Sequence, residues 1–176
     1  MTSFDEKLKR VRALIFDVDG VLSATTTILD DAGYPVRTAN IKDGFAIRNA
    51  LNMGYRIGII TGGDVGNVRL RYEKLGVPLI YMGVSDKVVA LHDFIIKADV
   101  TAAEILYMGD DLVDYRAMSM VGLPVCPSDA AREIQEISLY ISPKKGGKGC
   151  VREIIEQVMR AQNTWMNEKT AYWKSI

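Results

Sequence analysis

Short apolar runs, each closed by acidic, glycine or hydroxyl residues, alternate along this chain with longer stretches whose apolar side chains recur every three or four positions. The runs have the length of buried strands, and the intervening stretches have helical spacing. The strands fall at 12–18, 56–60, 78–82, 105–108, 123–126 and 139–141. Helices are expected between them: one beginning near Asp43 and ended by Gly54, then Val65 to Leu75 stopped by Gly76, a third carrying Val88 to Ile95, Asp114 to Val121, one capped by Ser128, and Val151 to Gln162. Thr101 and Glu104 have capping-box spacing, and Phe4 to Arg10 reads as a frayed helical turn. Strands separated by helices imply right-handed crossovers. The expected fold is therefore α/β, a doubly wound parallel sheet with helices on both faces.

The interval 21–42 breaks this rhythm. It is rich in Thr, Asp and Gly, with apolar pieces Ile28-Leu29 and Tyr34-Pro35-Val36 around an acidic glycine turn, which predicts a small β-hairpin or flap. The predicted elements fill the intervals before Thr61 and between Thr61 and Lys87, which leaves no room for a further domain in either.

Parallel strands deliver their exit residues to one edge, and here the exits carry chemistry. The first strand ends in Asp17 and Asp19, which alternate to one side, before Gly20 turns the chain. The second exits at Thr61-Gly62, the third is followed by Lys87, and the fourth ends in Asp110 and Asp111, with Asp114 one turn on. Asp-Gly by itself is among the commonest turn signals. The convergence weighs more, because like charges repel unless a cation or proton separates them. A hard divalent cation such as Mg²⁺ suits a few carboxylate and carbonyl oxygens.

Composition narrows the class. The 176 residues bound one substantial core, so a single domain over 1–176 is expected, with a flap at about 21–42 and a carboxyl-terminal segment from about 143. Lys plus Arg and Asp plus Glu are equal at 22 each, so there is no basic field of the kind nucleic acid requires. No run reaches membrane-spanning length, and no segment resembles a signal peptide. Cys126 and Cys150 match no zinc spacing and suggest reduced thiols in a cytoplasmic protein.

Asp-x-Asp-Gly, Thr-Gly, Lys and Gly-Asp-Asp-x-x-Asp, in this order and each after a strand, resemble the haloacid dehalogenase superfamily of phosphohydrolases. Within it the chain is most similar to the capless 3-deoxy-D-manno-octulosonate 8-phosphate phosphatase family, through Asp17-Val18-Asp19-Gly20-Val21-Leu22, Asp43-Gly44, Tyr107-Met108-Gly109-Asp110-Asp111 and Gly146-Gly147-Lys148-Gly149-Cys150-Val151-Arg152-Glu153. It departs from many relatives at Ser23-Ala24-Thr25, where they have Thr-Asp-Gly, and at Gly63, where they carry Arg.

The resemblance implies a phosphomonoesterase that feeds lipopolysaccharide synthesis. Asp17 would be the nucleophile, Asp19 the general acid and base, Thr61 a phosphoryl-oxygen donor and Lys87 the compensating cation. Mg²⁺ would be held by Asp17, the Asp19 backbone carbonyl and Asp110, with Asp111 or Asp114 positioning them. Gly62, Arg71 and Lys74 would meet substrate. It further implies a homotetramer, the Ile28–Val36 flap and a mobile Lys144–Lys148 segment closing the site at subunit contacts. Arg69 and Arg71 read equally well as a solvated helix face, and the lysine-rich turn as a solvated basic loop. His92 is remote from every motif, and Trp165, Tyr172 and Trp173 either meet a neighbour or cover this chain's own sheet. Two other readings stay open: the same chemistry on a nine-carbon sugar-acid phosphate, and a phosphoacceptor receiver domain.

Overall fold

In the computed structural model, which describes residues 3–166, six strands form one parallel sheet. They are β1 (Ala13–Phe16), β2 (Arg56–Ile60), β3 (Leu79–Tyr81), β4 (Ile105–Met108), β5 (Leu123–Cys126) and β6 (Tyr140–Ile141). Their order is β3-β2-β1-β4-β5-β6, every pairing parallel. The helices are α1 (Phe4–Leu8), α2 (Ile41–Asn52), α3 (Gly66–Lys74), α4 (Lys87–Ala98), α5 (Tyr115–Met118), α6 (Arg132–Ile137) and α7 (Cys150–Ala161).

The reason β1 shows no polar alternation is that both of its faces are covered. Leu14 and Phe16 pack with residues of α1, α2, α3 and α7, whereas Ala13 and Ile15 pack with residues of α4, α5 and α6. The expected two-faced sheet is therefore present, and each helix is fixed by the stripe it buries. On α7 that stripe is Val151, Ile154, Ile155, Val158 and Met159, all fully buried. At the start of α2 the cap is Asn40, whose side chain accepts from the Lys42 and Asp43 backbone N–H groups. Asp43 is thereby released to turn inward, where its Oδ1 accepts the Arg152 N–H at 2.8 Å and fastens α2 to the first turn of α7. Burial raises its carboxyl to about 6.

Two local expectations are corrected. Ser128 does not cap a helix: α6 begins four residues later, after Ala131, and the Ser128 N–H is spent on the Lys144 carbonyl. The helix expected from Asp114 is instead a 3₁₀ turn, Leu112–Asp114, followed by the single turn of α5. The expected flap is present as a short hairpin, its limbs joined by the Asp30 N–H to the Tyr34 carbonyl and the Val36 N–H to the Ile28 carbonyl. Leu29 and Pro35 form one antiparallel bridge, Asp30 Oδ1 accepts the Ala32 and Tyr34 N–H groups, and no ladder extends from it.

Strand order reverses between β1 and β4, so the helices leaving those neighbours diverge and open a crevice at their carboxyl ends. On the other face Phe94 of α4 lies over Gly58 of β2, where a Cβ would come within 2.5 Å of the ring. Because Phe94 is fully buried, Phe94→Ala should cost roughly 3–5 kcal/mol, read as a lowered urea midpoint.

Candidate active site

Asp17 follows β1 directly. Its N–H donates to the Met108 carbonyl of β4, which extends the ladder by one residue and sets the carboxylate at the mouth of the crevice. Its Oδ1 accepts the Val18 N–H at 2.6 Å, and its Oδ2 lies 2.8 Å from Lys87 Nζ. Lys87 is the first residue of α4, reached through Asp86, whose side chain caps that helix on the Val88 N–H. The Lys87 ammonium also donates to Asp114 Oδ1 at 2.7 Å, and the Tyr107 hydroxyl donates to the same oxygen at 3.0 Å. Asp114 Oδ2 accepts the Asp110 N–H at 3.3 Å. One continuous chain therefore runs Tyr107–Asp114–Lys87–Asp17, and its members are all buried.

Asp110 completes the cluster. Carboxylate oxygens of Asp17, Asp110 and Asp114 lie within 4.8 Å of one another. The oxygens of Asp17 and Asp114 all have protein partners already, so Asp110 is the member of the cluster most open to a ligand. Asp110 Oδ1 is buried without a partner, an arrangement whose desolvation cost goes uncompensated unless a cation supplies the missing contact. Three buried acids face one lysine. Burial and the Asp114 charge push Asp17 up to about 7 against the opposing pull of Lys87, and burial with the Asp17 charge pushes Asp110 to about 8. Hard oxygen donors in negative excess fit a hard divalent cation.

Glycines shape the rim. Gly20 holds φ +81°, and a Cβ there would collide with the Asp110 carboxylate, 1.8 Å from Oδ2. Gly146 and Gly147 pack directly on the backbone of the first motif: a Cβ on Gly146 would lie 1.9 Å from the Gly20 carbonyl oxygen, and one on Gly147 would lie 2.4 Å from the Ala24 nitrogen. The Gly147 N–H donates to the Val21 carbonyl, and the Gly146 N–H to Asp129 Oδ1. The turn expected to be mobile is thus docked, through its two glycines, against the loop that follows Asp17.

A cavity of about 650 Å³ opens above these groups, lined by Asp17, Asp19, Thr61, Gly62, Lys87 and Asp110 among others. Thr61 is buried, and its hydroxyl accepts the Gly63 N–H at 3.2 Å. Asp111 stands at the mouth, where its side chain caps the Leu112 N–H; Asp114, not Asp111, touches Lys87. Arg71 and Lys74 lie elsewhere. The Arg71 guanidinium rests against Gly44 and lines a separate cavity of about 190 Å³, while Lys74 is exposed on the last turn of α3. His92 is exposed on α4. Trp165 meets Phe45 edge-on and takes the Arg152 and Arg160 guanidinium groups over its ring, so it covers this chain's own helices; Tyr172 and Trp173 lie outside the described residues.

Sequence reasoning missed Arg37, whose guanidinium grips both oxygens of Asp19, and gave Tyr107 a place in a strand and a family block but no role in the site. Nothing in the sequence marks the first. A tyrosine inside a fully buried strand is the available signal for the second, because its hydroxyl has to find a partner.

A doubly wound sheet with an aspartate after β1, a threonine after β2, a lysine opening α4 and aspartates after β4 defines the haloacid dehalogenase superfamily. No family model matches the chain. It is 36% identical over 156 residues to the 3-deoxy-D-manno-octulosonate 8-phosphate phosphatase of Escherichia coli K12, covering 89% of this chain and 83% of that one. The crystal structure of the Yersinia pestis enzyme of the same name superposes with a TM-score of 0.87 at 33% identity, covering 91% of this chain and 86% of that chain. That of the Moraxella catarrhalis enzyme, solved with a magnesium ion, a phosphate ion and a KDO molecule, gives 0.86 at 31% identity over 92% of each chain. The chain belongs to the 3-deoxy-D-manno-octulosonate 8-phosphate phosphatase family.

The electrostatics make a prediction about stability. Asp17 and Asp110 hold their protons more tightly folded than unfolded, so their contribution is complete below about pH 4 and is lost as pH rises through about 7 and 8. In chelator, the thermal midpoint should fall between pH 5 and 8. Asp110→Asn should flatten that fall, and a divalent cation added at pH 8 should reverse it in the parent protein only.

Proposed function

We propose that the chain is a Mg²⁺-dependent phosphomonoesterase that hydrolyses 3-deoxy-D-manno-octulosonate 8-phosphate through an aspartyl-phosphate, and that residues 1–176 form one catalytic domain. The observation that carries this reading is the buried Asp17–Lys87–Asp114 chain standing beside the unpartnered Asp110 oxygen at the sheet's switch point. The Asp17 and Asp110 carboxylates with the Asp19 backbone carbonyl would hold the ion. When bound, Mg²⁺ supplies positive charge to the transferring phosphoryl group.

In the first half-reaction an Asp17 oxygen attacks phosphorus in line. The ester P–O bond breaks with its electron pair going to the sugar oxygen, which takes a proton from Asp19. In the second, water attacks the aspartyl-phosphate and gives its proton to Asp19; phosphate leaves and the Asp17 carboxylate is restored. Lys87 aims Asp17 and favours its anion, since an ammonium 2.8 Å away in a buried setting opposes the proton that desolvation draws there. Thr61 donates its hydroxyl to a phosphoryl oxygen. Asp114, fixed by Tyr107, holds Lys87 in place.

The substrate assignment draws on the named relatives and on an open cavity without a cap domain. Ile28, Leu29 and Tyr34 of the flap are each more than 60% exposed beside it, and such a cluster suits burial against another copy. We read the assembly as a homotetramer closed by these flaps, acting in the cytoplasm, where the buried free thiols of Cys126 and Cys150 stay reduced. Among the described residues no helix is long and apolar enough to cross a membrane.

Phosphate release should be fastest from the eight-carbon sugar-acid phosphate, ahead of a nine-carbon analogue and of glucose 6-phosphate, and should stop in chelator. Equal rates on all three would remove the sugar-acid assignment. Asp17→Asn should lower kcat by at least about 10³-fold with the fold intact; appreciable turnover by that variant would refute the nucleophile. Tyr34→Asp should convert the assembly to smaller species by sedimentation, and a monomeric parent protein would remove flap-built closure.

A further inference from the structure

Arg37 sits on the return limb of the flap, and its guanidinium makes three hydrogen bonds. Nε donates to Asp19 Oδ1 and Nη2 to Asp19 Oδ2, both at 3.0 Å, while Nη1 donates to the Pro35 carbonyl at 3.0 Å. This fork uses both oxygens of Asp19 as acceptors, so in this position Asp19 faces arginine and not the sugar oxygen of a substrate. The guanidinium lines the neighbouring cavity of about 190 Å³ and reaches the main one through Asp19 and Gly63, which border it. A Cβ on Gly63 would lie 3.0 Å from Arg37 Nη2 and 3.6 Å from both Asp19 Oδ2 and the Thr61 hydroxyl oxygen. Glycine at 63 therefore leaves the space beside Thr61 that Arg37 fills.

The two ion pairs of the site differ in how readily they open. Lys87–Asp17 is buried at both ends, and separating it would strand a charge. In the Arg37–Asp19 pair the arginine side chain is 12% exposed but the aspartate side chain is 51% exposed, so Asp19 can leave into water at small cost. A phosphoryl group entering beside Thr61 brings two charges and three acceptor oxygens to the same fork, a stronger partner than one carboxylate.

We propose that Arg37 is a further catalytic residue, parked on Asp19 in the free protein and taken over by the phosphoryl group of the substrate, so that one exchange both grips phosphate and frees Asp19 for the sugar oxygen. The inference rests on the phosphatase reading above and adds a residue to it. Because Arg37 is carried by the flap, the exchange also ties flap position to the start of chemistry.

Orthovanadate, a phosphoryl mimic, tests this by calorimetric titration of the full chain with Mg²⁺ present. Arg37→Met should bind it at least about ten-fold more weakly than the parent, and Arg37→Lys should fall between. Asp19→Ala, which frees the fork, should bind several-fold more tightly, and that gain should vanish in the Asp19→Ala/Arg37→Met double variant. Thermal midpoints near the parent value establish that each variant is folded. Unchanged binding by Arg37→Met overturns the proposal, as does an equal gain from Asp19→Ala in both backgrounds, which would reflect lost repulsion alone. A parent protein that binds no vanadate and releases no phosphate removes the phosphatase reading itself, a result distinct from either.

Discussion

The site depends on one buried cation shared by two buried carboxylates. Lys87 lies 2.8 Å from Asp17 and 2.7 Å from Asp114 with almost no solvent access, so each partner's desolvation is offset only while all three stay in place. That constraint explains why Lys87 opens α4 rather than sitting further along it: the helix start is fixed by Asp86, and the ammonium then reaches across the sheet edge without bending the chain. It also explains Tyr107. With Asp114 fully buried, its oxygens need donors from several directions, and the hydroxyl, the ammonium and the Asp110 N–H supply them.

The balance of charge is left deliberately incomplete. One lysine cannot neutralise Asp17, Asp110 and Asp114, and the remaining excess falls on Asp110, whose unpartnered oxygen and raised carboxyl mark where further positive charge belongs. Protonation and cation binding are two answers to the same deficit. At neutral pH a divalent ion answers it without placing a proton on Asp17.

Around this core the chain uses backbone contact rather than side chains to hold its loops. Gly20 gives way to the Asp110 carboxylate, and Gly146 and Gly147 press onto the loop after Asp17 at distances that no Cβ permits. The loop bearing the first motif is thereby clasped from the far side of the sheet by a segment more than a hundred residues away. By contrast the flap that carries Arg37 has a single bridge and an exposed apolar tip. A clasped Asp17 loop beside a flap with one bridge puts the more easily opened segment at the rim of the cavity.

All six strands were legible as apolar runs, and the convergence of Asp17, Asp19, Thr61, Lys87 and Asp110 at one cavity follows from placing those residues at parallel strand exits. Both are properties of local order: burial on two faces erases alternation, and parallel crossovers send every exit the same way. What the sequence could not settle were choices between neighbours that differ only by which contact wins in space. Asp114 and Asp111 are chemically identical, and only the 3₁₀ turn decides which one meets Lys87. Asn40 and Asp43 both suit a helix start, yet Asp43 is drawn inward by the Arg152 N–H of a distant helix. The Arg37–Asp19 fork joins a flap to a strand exit with no motif to announce it. Periodicity and the residues at strand exits are written in short stretches of chain, whereas strand order and the partner of a charged side chain are set by which remote segments fold against one another, and that only the tertiary structure decides.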